Sequence, residues 1–164
     1  MQTGKNKKTL ILGFGNPDRG DDGVAWHILK KIAELSGHDW ESEGFESGIV
    51  KLNNHLNLWF NLQLIPEVAE DLANYQKAIF LDAHTSEIKD EISIVKVEPD
   101  YQRSPFTHHL TAATCLALAK SLYGRTPQAT LISIRGTDFS FTHALSKQTA
   151  RLANQVVKLI MSWQ

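Results

Sequence analysis

One cysteine, Cys115, is too few for an internal disulfide or a cysteine-rich metal site. Charge of one sign is also missing. Seventeen basic residues stand against 18 acidic ones, a formal net charge of −1, so there is no basic field for nucleic acid and no polybasic membrane face. No apolar run approaches the length of a membrane span, and Met1 to Lys8 lacks the hydrophobic core of a signal peptide, which predicts a cytoplasmic protein. Repeats, linkers and low-complexity tracts are absent, so residues 1–164 are expected to form one domain. There is no His-x-x-x-His spacing, and no Gly-Lys-Ser/Thr to make a phosphate-binding loop. What remains is 42% hydrophobic and 21% charged, the balance of a globular chain long enough to bury a proper core.

The informative stretch is Thr9 to Lys31, TLILGFGNPDRGDDGVAWHILKK. Leu10-Ile11-Leu12 reads as a buried strand that stops at Gly13. Gly15, Asn16, Pro17 and Gly20 then bend the chain, and Val24, Ile28, Ile32 and Leu35 recur at helical spacing. Strand, glycine turn and helix start form the front edge of an open α/β sheet, where ligands sit beyond the carboxyl ends of strands. Asp21 fits the N-cap of the helix, which leaves the Asp22 carboxylate to project from the loop. A second reading has both aspartates capping the helix with nothing bound. Gly13-Phe14-Gly15 begins like a dinucleotide fingerprint. Asp18 replaces its third glycine, however, and pyrophosphate would meet Asp18, Asp21 and Asp22.

Further on, Leu56, Leu58, Phe60 and Leu62 alternate with Asn57, Trp59 and Asn61, predicting a second strand at 56–63. Pro66 suits the first turn of a short helix, with Glu67, Glu70 and Asp71 at its positive end. Ala78 to Leu81 is a third, buried strand ending at Asp82; Ile92 to Val97 alternates as a fourth; Ala129 to Ile134 is a fifth. Residues 98–107 read as a loop delivering His108 and His109 to the start of a helix that runs to Tyr123. Leu145 to Trp163 forms a closing amphipathic helix, and 37–54 has no assignable period. Strands alternating with helices predict a three-layer α/β/α sandwich around a mostly parallel, about five-stranded sheet.

Three donor groups then fall at comparable places: Asp22 after the first strand, Asp82 ending the third, and His108 opening a helix after the fourth. If the first and third strands are neighbours, both carboxylates face one sheet edge. Two carboxylates and an imidazole suit a divalent transition metal, and the same set suits general acid–base hydrolysis. Each also has a plainer role, Asp82 as a loop cap and His108 as a helix-start residue. His84, two residues beyond Asp82, is a possible companion to it. Cys115, among Ala112, Leu116 and Ala119, is expected in the core rather than as a nucleophile.

GFGNPDRGDDG, from Gly13 to Gly23, resembles the N-terminal signature of the hydrogenase maturation proteases. Phe80-Leu81-Asp82-Ala83 resembles that family's central strand, and Ser104-Pro105 with His108-His109-Leu110 resembles its histidine segment, in the same order along the chain. The resemblance implies an endopeptidase of the aspartic or nickel-dependent type. Such an enzyme removes a C-terminal extension from the large-subunit precursor of a nickel–iron hydrogenase. It also implies that Asp22, Asp82 and His108 contact nickel already inserted in that precursor, so the metal comes with the substrate. Many family members have Glu at the position of Asp22 and a Gly-Thr-x-Gly turn after the second strand. Here Asn61 to Glu67 reads NLQLIPE, in which Gln63 and Glu67 either start a helix or replace the turn functionally, with the helix start favoured. Two other classes remain open: a non-catalytic metal-site chaperone of the same fold, and a nucleotide-binding module using the glycine turn.

Overall fold

The computed structural model describes residues 8–40, 48–101 and 109–164. His108 and the Ser104-Pro105 pair lie outside the described residues. The elements in chain order are β1 (Thr9–Phe14), α1 (Val24–Leu35), β2 (Ile49–Lys51), β3 (Leu56–Asn61), α2 (Val68–Leu72), β4 (Lys77–His84), β5 (Ile92–Val97), α3 (Ala112–Tyr123), β6 (Gln128–Arg135) and α4 (Lys147–Ser162).

The described strands form one six-stranded sheet in the order β2-β3-β1-β4-β6-β5. β3, β1, β4 and β6 run parallel, while β2 and β5 close the two edges antiparallel. Strand alternation splits the core in two. Ile11, Leu58, Ile79, Leu81 and Ile132 pack against α1 and α4. Leu10, Leu12, Trp59, Phe80 and Ala129 pack on the other face with α2 and α3. Layers of helix, sheet and helix result, as the alternation of elements predicts.

Four boundaries differ from expectation. The sheet gains a sixth strand, β2, within 37–54; three residues at an edge carry no readable period. β3 ends at Asn61, so Leu62 leaves the apolar face and is exposed. β4 runs on to His84, which puts Asp82 inside the strand rather than at its end. The helix expected to open at His108 begins at Ala112, because Thr111 caps it: the Thr114 N–H donates to Thr111 Oγ1 at 3.2 Å.

Candidate active site

The predicted first and third strands are β1 and β4, and they are hydrogen-bonded neighbours with Gly13 opposite Leu81. All four parallel strands therefore deliver their following loops to one edge. β1 leaves that edge through Gly15, whose φ of 134° suits glycine. The Gly15 N–H donates to the Leu62 carbonyl at 3.2 Å, tying this loop to the one after β3. The chain then curls back so that the Asn16 N–H donates to Asp22 Oδ2 at 2.9 Å. Asp22 is thus held over its own turn, half-buried.

Asp82 reaches the same edge from β4. The Ala83 N–H donates to its Oδ1 at 2.8 Å, but burial outweighs this bond and the charge of Asp22 adds to it. Together they push the Asp82 carboxyl up to about 7. The Asp22 charge counts because the two carboxylates share one site. His109 Nδ1 pairs with Gln63 Oε1 at 2.9 Å, joining the loop after β3 to the segment before α3. Gln63 is therefore a bridge rather than a helix start. Glu67 does precede the helix, at the N-cap of α2, without a side-chain capping bond.

Asp21 has a different role from the one expected. The helix it was to cap begins at Val24 with Gly23 at the N-cap, preceded by a tight turn over Gly20–Gly23. Asp21 instead lies fully buried and turns away to gather the segment between β6 and α4. The Ser146 N–H donates to its Oδ1 at 2.8 Å; the Thr137 and Asp138 N–H groups donate to Oδ2 at 2.8 and 2.9 Å. The Ser146 and Thr149 hydroxyls complete the shell at 2.7 and 2.9 Å. Burial alone would raise its pKa, but these bonds outweigh burial and hold the carboxyl below its ordinary value. The same segment is stitched to the glycine turn by backbone bonds, Gly20 N–H to the Thr142 carbonyl at 2.7 Å and Thr142 N–H to the Asp18 carbonyl at 3.1 Å. Sequence reading missed this clamp. Its one local signal is the run of capping residues Thr137, Asp138, Ser140, Thr142 and Ser146 ahead of α4.

His84 does not join Asp82. Its Nε2–H donates to the Asp90 carbonyl at 2.9 Å, and Nδ1 pairs with the Ser133 hydroxyl at 2.9 Å, so both ring nitrogens are spent on holding β4 to its neighbours. Cys115 is wholly buried, and burial pushes its thiol up to about 11, which keeps it protonated and unreactive. Among the described residues no three His, Cys, Asp or Glu side chains cluster closely enough to hold a metal ion. Of the expected trio, Asp22 and Asp82 come together, and His108 lies outside the described residues. Among those residues, too, no helix is long and apolar enough to cross a membrane.

With this geometry in view, solved structures supply the comparison. The hydrogenase maturating endopeptidase HybD of E. coli superposes with a TM-score of 0.68 at 18% identity, over 94% of this chain and 90% of its own. This chain has the fold of a hydrogenase maturation endopeptidase. The [NiFe] hydrogenase maturation protease HycI of Thermococcus kodakarensis gives 0.65 at 19%, covering 96% and 92% of the two chains. A hydrogenase 2 maturation peptidase from a Thaumarchaeota archaeon gives 0.60 at 20%, covering 95% and 97%. No family model matches the chain, and no curated protein sequence matches it significantly. The resemblance seen in the glycine turn and the Asp-Ala strand thus extends to the whole architecture.

Proposed function

We propose that this protein is an endopeptidase that recognises nickel in the large-subunit precursor of a nickel–iron hydrogenase and removes the precursor's C-terminal extension. The observation that carries the proposal is the convergence of Asp22 and Asp82 from adjacent parallel strands at one sheet edge, in a fold shared with maturation endopeptidases. Asp22, Asp82 and His108 would be the groups that meet the substrate's metal. Two carboxylates and an imidazole leave most of a transition ion's coordination positions to the precursor's own ligands, which suits a metal that arrives with the substrate.

Peptide hydrolysis needs a base for the attacking water and an acid for the leaving amine. Asp82, raised to about 7 by burial with no metal bound, would give up its proton on meeting the substrate's metal and act there as a carboxylate ligand. Asp22, anchored through one oxygen by the Asn16 N–H, is then the group to take the proton from water. The carbonyl carbon gains the hydroxyl, the C–N bond breaks, and the amine leaves with the proton that Asp22 took from the water. The scissile carbonyl would also be polarised by the metal of the precursor.

Mass spectrometry of a nickel-loaded large-subunit precursor, before and after incubation with this protein, tests the reading. Loss of a C-terminal peptide supports it, and loss from a nickel-free precursor at the same rate removes metal recognition from it. A precursor that is bound but stays intact favours the metal-site chaperone. Asp22→Ala, Asp82→Ala and His108→Ala should each abolish processing in a folded protein. Two of the three working at the normal rate would refute the assigned site.

A further inference from the structure

At the amino ends of β4 and β6, a cavity of about 690 Å³ opens between the loop before β4 and the turn before β6. Small-molecule sites fall in this size range. Backbone bonds fix its frame. The Gln128 N–H donates to the Gln76 carbonyl at 3.0 Å, and the Gln76 N–H donates to the Lys8 carbonyl at 3.0 Å. At the left-handed end of α3 the Gly124 N–H donates to the Lys120 carbonyl at 2.9 Å. Two cations line the cavity, Lys77 opening β4 and Arg125 following α3, and no Asp or Glu lines it. Among the described residues neither cation forms an ion pair. The Thr126 hydroxyl oxygen belongs to the same lining; it is buried and has no hydrogen-bond partner.

Each of these features is unfavourable while the cavity is empty. Like charges on one small cavity repel, and a buried hydroxyl without a partner destabilises the fold. The cations do not serve the candidate active site. Lys77 and Asp82 stand five residues apart on one strand. That is about 16 Å, beyond the screening length at physiological salt. Asp71, the acid ahead of this loop, is shifted by burial and by Glu70 and by neither cation. We propose that the cavity binds a small phosphorylated ligand, its phosphate held between Arg125 and Lys77 with the Thr126 hydroxyl and the Gln128 amide as further donors. A guanidinium fork takes two phosphate oxygens and an ammonium a third, so the dianion matches both charges. A carboxylate, with one charge and two oxygens, would leave one cation unmatched. The ligand is a small molecule, since the donors line a cavity and the chain, at net charge −1, has no basic track for nucleic acid. The site is independent of the endopeptidase reading.

Titration calorimetry of the full-length protein at neutral pH and constant ionic strength tests the site, with ribose 5-phosphate, inorganic phosphate, ribose and acetate as probes. Ribose 5-phosphate should bind, and ribose and acetate should not. Arg125→Gln and Lys77→Gln should each weaken binding about tenfold or more, and Thr126→Val severalfold. Both cations are exposed, so melting temperatures should stay near wild type. Lys158→Gln is the control, an exposed cation on α4 outside the cavity, and should change nothing. Inorganic phosphate bound as tightly as the sugar phosphate assigns the site to the free ion, and weaker binding of it assigns the site to an organic phosphate; either keeps the proposal. No binding of either phosphate at about 10 mM overturns it. So does phosphate binding that Arg125→Gln and Lys77→Gln leave unchanged, and so does acetate bound as tightly as phosphate.

Discussion

A Cβ on Gly15 would run into the backbone carbonyl oxygen of Asp22, so the glycine and the backbone of the candidate catalytic residue can keep their places only together. The added carbon is fixed to the backbone and meets backbone, so no side-chain rotation relieves the clash. Gly15→Ala must move the turn, which carries away the Asn16 N–H that holds Asp22. The expected result is a processing rate at least a hundredfold lower, with stability reduced by about 2–4 kcal/mol. Denaturant unfolding and precursor processing on the same sample measure both. An active Gly15→Ala protein would show that Asp22 does not need this turn.

Asp21 gives a prediction about folding rather than chemistry. Replacing it with Ala takes the acceptor from the N–H groups of Thr137, Asp138 and Ser146, which are only part-buried, at a cost of roughly 1–3 kcal/mol. The pH dependence has a definite sign. Because the folded-state pKa lies below the ordinary value, the contribution is fully present above the unfolded pKa and is lost as pH falls through the folded one. Urea unfolding between pH 2 and 7 should show wild type losing an acid-sensitive increment that Asp21→Asn lacks. Equal slopes in the two proteins would remove Asp21 from the clamp.

The sheet and its helices were legible because burial writes itself into short runs. Leu10-Ile11-Leu12 and Ala78 to Leu81 are continuous apolar stretches, as strands covered on both faces must be. Asp22 and Asp82 were legible for the same reason, since each follows or ends such a run. Asp21 was misread because an aspartate before a helix looks alike whether it caps that helix or reaches elsewhere. Its true partners, Thr137 to Thr149, are 116 to 128 residues away, and their run of capping residues ahead of α4 does not point to Asp21. β2 was hidden by its length, and the start of α3 by a choice between capping residues that only Thr111 Oγ1 resolves.

Asp82 predicts the opposite slope from Asp21. Its folded pKa of about 7 lies above the ordinary carboxyl value of 3.8, so between these limits the folded protein holds a proton that the unfolded chain has released. Stability should therefore fall as pH rises from about 4 to about 7 and level off beyond, a loss of roughly 2–4 kcal/mol. Asp82→Asn keeps an oxygen for the Ala83 N–H and has no charge to bury. It should lack that slope, be more stable than wild type at pH 8, and process no precursor. Superimposable stability curves from pH 4 to 8 would count against a desolvated carboxyl at this position.

Cys115 provides the matched control. Its thiol is buried in the layer shared with Phe80 and Leu116, far from ionising at neutral pH. Cys115→Ser puts a hydroxyl among apolar neighbours and should cost about 1–3 kcal/mol while sparing processing. A stable but inactive Cys115→Ser protein would point instead to a thiol nucleophile.

The bond between His109 and Gln63 leads to a prediction about selectivity. It links the loop after β3 to the segment before α3, and the loop after β3 follows a strand paired with β1 at the end of the sheet that carries Asp22. A precursor tail approaching Asp22 and Asp82 over that loop passes this bridge. Glu67 only stands at the N-cap of α2, exposed and without a capping bond, so Glu67→Ala should change stability by a few tenths of a kcal/mol and leave selectivity alone. Gln63→Ala, by contrast, frees the His109 ring from this partner and breaks the bridge. Relative rates over a panel of precursor tails should shift severalfold for Gln63→Ala, with bulkier tails gaining most, while the best tail is still cut. If the ranking of tails is the same in wild type and Gln63→Ala, the bridge serves only to join two loops and plays no part in choosing the tail.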